Sequence, residues 1–234
     1  YHPAKLKVVQ DMIDEEGPVG ILKTLRQGNF NVVSMLNMKY IVADQEYAIP
    51  PLETVHRGDQ FVMRNNNYLP RMWFVDRARV IADPQAHLAA LADPNWRPRE
   101  EALVFTSPGQ LDPGTGGTAE ITRYEPREIH ARVTSPGNSL LVMSEIYYEA
   151  GWKAWIDENP IAIQRVDYLL RGIVVPPGSH ELRLRFDPGS FKAGVTLSAL
   201  AYGLCVLALI GTFVQRRWLS RTAERRVPES TTAT

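Results

Sequence analysis

HELRLRFDPGSFKAGVTLSALAYGLCVLALIGTFV, residues 180–214, joins two different hydrophobic periods. From His180 to Phe186 the pattern alternates: Leu182, Leu184 and Phe186 point one way, Glu181, Arg183 and Arg185 the other. A period of two is that of a strand with one buried face. From Ala193 to Val214 there are 22 residues without a charge. At about 1.5 Å per residue such a helix spans roughly 33 Å, enough for a hydrocarbon core of about 30 Å. A soluble core helix is shorter and shows a polar face, whereas this one has only scattered Ser, Thr and Tyr. The stretch therefore predicts a β domain that feeds a membrane-spanning helix through Asp187-Pro188-Gly189.

The flanks predict its direction. Arg216, Arg217, Arg221, Arg225 and Arg226 follow the helix with only Glu224 among them, while Arg183, Arg185 and Lys192 before it alternate with Glu181 and Asp187. The positive-inside rule then puts residues 216–234 in the cytoplasm as a basic tail and the bulk of the chain outside. Phe191 and Trp218 suit interfacial anchors. The span lies too far from the start to be a signal peptide. Ala199, Gly203 and Gly211 either reflect ordinary membrane-helix composition or let the helix pack in a bundle.

Working back from the helix, 44% apolar residues support a real core, and zero net charge leaves no electrostatic footprint for nucleic acid. The one cysteine, Cys205, sits inside the apolar helix, which excludes an intrachain disulfide and a Cys-based metal site. An extracytoplasmic domain without disulfides fits a bacterium better than a secreted eukaryotic module. The chain opens at Tyr1 with no signal-peptide pattern. It therefore reads as the C-terminal piece of a longer protein with earlier membrane helices, or else as a mature processed chain.

The fold class expected is α+β. Residues 1–107 form an extracytoplasmic mixed region, 108–118 a Gly/Pro-rich linker, 119–190 an antiparallel β-sandwich or jelly-roll-like domain, and 191–215 the transmembrane helix. In the first region Pro3 starts a helix that Gly17-Pro18 ends, a second stops at Gly28, and Asn31 caps a third. Strands are predicted over 38–43, 60–64, 72–80 and 102–105. Asp83-Pro84 opens a helix that Asp93-Pro94 closes. After the linker, strands are predicted over 129–133, 140–148, 152–156, 161–165, 169–175 and 180–186, with turns at Asp157-Glu158-Asn159-Pro160 and Pro176-Pro177-Gly178-Ser179.

Few residues point to chemistry. Asp11, Asp14, Glu15 and Glu16 read as a solvated helix end, because nothing nearby completes an acid–base or metal site. His2, His56, His87, His130 and His180 have no ligand spacing. Gly114 to Gly117 lack the strand–turn–helix context of a phosphate cradle. Tyr147, Tyr148, Trp152 and Trp155 cluster near Glu145. Aromatic faces beside a carboxylate stack on and hydrogen-bond sugar rings, but the same rings also build a sandwich core. Arg71, between Leu69-Pro70 and an apolar strand, suits either a bidentate phosphate or carboxylate contact or a structural ion pair. The candidate sugar-contact set is thus Trp152, Trp155, Tyr147, Glu145 and Arg71.

The motifs YHPAKLKVVQDMID (1–14), MLNMKYIV (35–42), NNNYLPRMWFV (65–75), DPNWRPREEALV (93–104), MSEIYYEAGWKAWID (143–157) and VPPGSHELRLRFDPGSFKAG (175–194) occur in an order that resembles the C-terminal part of the bacterial YfhO family. The resemblance covers nearly the whole chain, least the linker and tail. One departure is Glu158, where the family commonly has glycine. The resemblance implies a polytopic protein of the cytoplasmic membrane, similar to GT-C-type glycosyltransferases. Such enzymes move a sugar from a polyprenyl-phosphate donor to an acceptor outside that membrane. Their catalytic carboxylate lies in an early loop, so no catalytic or metal residue and no cofactor is assigned to this chain. The implied partners are the lipid bilayer, the other membrane helices, and a glycan or lipid-linked sugar. The alternatives are a membrane-anchored, non-enzymatic carbohydrate-binding or interaction module and a structural assembly subunit. Hydrophobic spans and an acidic loop upstream of Tyr1 would favour the enzyme.

Overall fold

The computed structural model describes residues 7–112 and 116–224. The expected helix start at Pro3, Gly114 of the Gly-rich run, and Arg225 and Arg226 of the tail lie outside these residues. The chain forms one compact unit that ends at Asp187 and a second that begins at Pro188.

Three short helices open the first unit: α1 (Lys7–Ile13), α2 (Ile21–Arg26) and α3 (Asn31–Met35). Gly28, at φ 75°, ends α2 in a left-handed conformation that costs glycine nothing. Asn31 is not the cap its position suggested. Phe30 holds the cap position without a side-chain cap bond, and Asn31 Nδ2 donates to the Trp96 carbonyl at 2.5 Å. Asn29 instead accepts from the Asn31 N–H at 3.0 Å.

The strands and remaining helix follow as β1 (Tyr40–Ala43), β2 (Leu52–Arg57), β3 (Phe61–Asn65), β4 (Met72–Val75), β5 (Arg77–Val80), α4 (Pro84–Ala92) and β6 (Glu101–Val104). Next come β7 (Thr118–Glu125), β8 (Glu128–Ser135), β9 (Ser139–Ile146), β10 (Trp152–Ile156), β11 (Asn159–Ile161), β12 (Gln164–Val166), β13 (Leu170–Val175) and β14 (Gly178–Phe186). They build three sheets, ordered β1-β3-β2, β11-β10-β14-β8-β7 and β4-β9-β13-β12-β6-β5. All pairings are antiparallel except β5 with β6. That parallel pair needs a crossover, which α4 supplies. Asp83 caps α4 as its sequence predicts, its Oδ1 accepting from the Ala86 N–H at 2.7 Å.

The stretch 72–80, expected as one strand, is two. Asp76 interrupts it, β4 pairs with β9, and β5 pairs with β6 at the opposite edge of the same sheet. One residue bridges at most about 7 Å, so the six-stranded sheet bends round until its edges meet at Asp76. Strands from both sides of residues 108–118 share this sheet.

Its two faces make two cores. On one face Leu141, Met143, Ile173 and Val175 pack against Ile129, Val133, Ile156, Leu182 and Leu184 of the five-stranded sheet, completing a sandwich. On the other, Trp73, Leu140, Val142, Val104 and Leu170 pack against Met12, Val32, Met35, Leu88, Leu91 and Trp96 of the helical layer. Burial on both faces is why Leu140 to Met143 are continuously apolar rather than alternating. Each such side chain contributes roughly 1.5–3 kcal/mol by leaving water. Leu182 and Leu184 are fully buried, as the alternation predicts, while Phe186 is half-buried at the sandwich end.

The turn at Asp157-Glu158 has φ 47° and 68°, so both residues are left-handed, as in a two-residue hairpin of type I′. Glu158 takes this conformation without being glycine, and its carboxylate accepts from Arg183 Nη2 at 3.2 Å.

The second unit is α5 (Gly189–Glu224). Ala193–Thr212 has a mean hydropathy of 2.1 and is a candidate membrane span by length and composition. Leu197, Leu204 and Leu209 are exposed. A helix apolar all round needs lipid or other helices against it.

Candidate functional site

Period-two alternation decides where the aromatic residues go. On β10, Trp152, Ala154 and Ile156 turn toward the sandwich interior, and Lys153 and Trp155 turn away. Trp152 packs against the sandwich core, with its ring centroid 5.6 Å from that of Phe186. Trp155 stands opposite Arg183 on the neighbouring strand, whose guanidinium lies 5.0 Å from the ring centroid. The two tryptophans are therefore not one stacking surface. They border a single cleft of about 260 Å³ with Tyr147, Tyr148 and Glu149.

These positions predict different stabilities. Trp152→Ala is expected to cost about 1–3 kcal/mol and Trp155→Ala less than about 1 kcal/mol, read from urea unfolding curves. Equal losses would contradict the opposite facing of the two rings.

Arg71 and Glu145, 74 residues apart, meet at 2.7 Å. The Tyr124 hydroxyl donates to the same carboxylate oxygen at 2.7 Å, and Arg71 Nη1 donates to the Tyr124 oxygen at 3.1 Å. The Arg71 guanidinium also lies 4.9 Å from the Tyr124 ring centroid. Burial first, then the bond to Glu145, raise the Tyr124 hydroxyl above the ordinary phenol value. Of the two readings open for Arg71, the geometry is that of an ion pair within the protein. It ties the segment before β4 and strand β9 of one sheet to β7 of the other.

Between this trio and the cleft stands Arg171, which the sequence reading passed over. It is 3% exposed, in the interior strand β13, where the register with β9 slips. Its guanidinium lies 4.0 Å from the Trp152 ring centroid, and its Nε donates to the Ile146 carbonyl at 3.0 Å. Burial pulls the group down to about 10, with Glu145 and Tyr124 opposing. One signal was available: Arg171 is the sole charge within the apolar run Leu169–Val175.

The acidic cluster near α1 is occupied structurally. Asp11 Oδ2 accepts from the Tyr168 hydroxyl at 2.5 Å, and Glu15 Oε1 accepts from the Leu22 N–H at 3.0 Å. His87 is buried, with its Nε2 accepting from the Tyr168 N–H at 3.1 Å. Among the described residues no three His, Cys, Asp or Glu side chains converge as a metal site would require.

Residues 116–198 match the model of the family described as bacterial membrane protein YfhO. The match takes in β7 to β14 and the first turns of α5. No curated protein and no solved structure matches the chain.

Proposed function

We propose, proceeding from the chain's membership in the family of the bacterial membrane protein YfhO, that it forms the C-terminal extracytoplasmic domain and last membrane helix of a glycosyltransferase. The sugar comes from a polyprenyl-phosphate donor and passes to a cell-envelope acceptor. The catalytic carboxylate lies on a loop outside this chain. The domain shapes the acceptor side, with Tyr147, Trp152 and Trp155 offering faces to sugar rings. Arg71 and Glu145 hold the wall behind them. One observation carries the reading: the family match runs through β7 to β14, takes in every residue lining the aromatic cleft, and reaches the start of the candidate span at Ala193.

Topology is tested by protease treatment of intact spheroplasts carrying a C-terminal tag. The expected result is loss of the domain up to Asp187 with the tagged end protected, since the Arg-rich flank favours the cytoplasm. Digestion of the tag from outside would reverse the assigned direction. Activity is tested with membranes from cells making the full-length protein, supplied with radiolabelled polyprenyl-phosphate hexose. Label is expected to enter envelope polymer only when the protein is present.

A second reading is a membrane-anchored carbohydrate-binding module without catalysis, supported by the aromatic lining of the cleft, Tyr147, Tyr148, Trp152 and Trp155. It would be preferred if glycan binding persisted without any transfer.

A further inference from the structure

We propose that the cleft at β10 is a site for one acidic sugar residue, its ring resting on the aromatic wall and its anionic group paired with Arg171. The proposal rests on the sugar-contact reading of the cleft and adds the charge of the ligand.

Three observations carry it. Arg171 is 3% exposed and still lines the cleft. Its Nη1 has no hydrogen-bond partner, and its Nε reaches only a backbone carbonyl, at 3.0 Å. Glu145, the nearby carboxylate, is engaged by Arg71 and Tyr124 at 2.7 Å each. A buried guanidinium without a paired anion is costly to desolvate, and such a cost persists where a ligand offsets it. The fork geometry of arginine matches the oxygens of a carboxylate or a phosphate.

The rest of the cleft suits a sugar ring. Trp152 lies under the guanidinium at 4.0 Å, which orients Arg171 by stacking. Tyr148 is 42% exposed at the mouth, where a pyranose face can rest on it. The cleft's own charges are mixed. Lys153 is held 3.6 Å from Asp187, and Glu149 sits on the rim, where its carboxylate suits ring hydroxyls. At about 260 Å³ the volume falls below the roughly 300–1,000 Å³ common for small-molecule sites, which favours one ring over a chain of them.

The test is a tryptophan-fluorescence titration of the full chain in detergent with D-glucuronate, glucose 6-phosphate, methyl glucoside and inorganic phosphate. The acidic sugars are expected to bind at least about tenfold tighter than methyl glucoside or inorganic phosphate. Whichever acidic sugar binds tighter identifies the anion as carboxylate or phosphate. Arg171→Gln is expected to abolish the preference, and Tyr148→Ala to weaken acidic and neutral sugars alike by about threefold to tenfold with thermal stability retained. The Tyr148 variant and the wild-type preference decide the matter if Arg171→Gln does not fold. Equal binding of neutral and acidic sugars, no saturation by about 50 mM acidic sugar, or a preference that survives Arg171→Gln would each overturn the site. Sugar transfer without an acidic preference would remove this site alone, whereas acidic-sugar binding without transfer would remove the glycosyltransferase reading and leave the site standing.

Discussion

Replacing Asp167 with asparagine is expected to stabilise the protein by about 2–4 kcal/mol at pH 8 and by almost nothing at pH 4. Asp167 is fully buried at the turn between β12 and β13. Its Oδ1 accepts from the Leu103 N–H at 2.7 Å, but its Oδ2 has no partner. Burial pushes the carboxyl up to about 8, the Leu103 bond opposing and Glu101 adding to the rise. An unfolded aspartate titrates near 3.9. Between about pH 4 and 8 the folded chain therefore holds a proton that the unfolded chain has released, and stability falls as pH rises across that window. Asparagine keeps an oxygen acceptor for Leu103 and does not titrate.

His87 has the opposite slope. Burial pulls it down to about 4, so the stability it contributes is present above about pH 6.5 and is lost as pH falls toward 4. In the parent chain these two slopes oppose each other from about pH 4 to 6.5, and above that only the Asp167 slope continues toward pH 8. In Asp167→Asn the slope from His87 is no longer opposed by Asp167, so stability rises more steeply over the lower window and falls less toward pH 8 than in the parent. Urea midpoints at four or five pH values between 4 and 8 separate the two profiles. A gain independent of pH would show that the Asp167 carboxyl is not held protonated.

Gly172→Val is expected to destabilise the fold by roughly 2–4 kcal/mol, although valine is among the best strand formers and glycine among the poorest. Gly172 lies in β13, between β9 and β12. A Cβ there would stand 2.5 Å from Val166 Cγ1 and 3.2 Å from Leu140 Cδ1. Both neighbours are completely buried and packed in the core beneath the helical layer. Overpacking therefore outweighs propensity. Gly172→Ala places one carbon in the same gap and is expected to lose less. A thermal transition at or above that of the parent for the valine variant would mean that the sheet yields at this point.

What could be read in advance was what neighbouring residues decide among themselves. Asp83-Pro84 announces α4, Gly28 ends α2, and the alternation of Leu182 and Leu184 against Arg183 and Arg185 sets the facing of β14. The uncharged run from Ala193 marks the candidate span. Strands β2 and β7 were not anticipated, because their residues are mostly exposed or half-buried and carry no strong apolar period. The break at Asp76 was invisible for another reason. Both halves of 72–80 are strands, and only their distant partners, β9 and β6, show that they belong to opposite edges. The candidate site divides likewise. Tyr147, Trp152 and Trp155 are close in sequence and do border one cleft, although the three-residue spacing of the tryptophans along β10 turns them to opposite faces. The Arg71–Glu145 pair and the approach of Arg171 to Trp152 join separate strands, so no local pattern encodes them.

The bend at Asp76 also bears on how this molecule avoids unwanted company. A sheet's outer strands normally offer rows of unsatisfied amides and carbonyls on which a foreign strand can grow. Here the two outer strands of the largest sheet converge on one residue, and β4 lies against β7, the outer strand of the sheet beside it. The close approach is visible at Gly117, where a Cβ would stand 2.5 Å from Phe74 Cδ2. The opposite border, β11, is three residues long and includes Pro160, which has no amide to donate. Backbone-templated growth is thus hindered at β4 and β7, which lie against each other, and at β11, so a partner at these borders must be selected by side chains rather than captured by an open ladder.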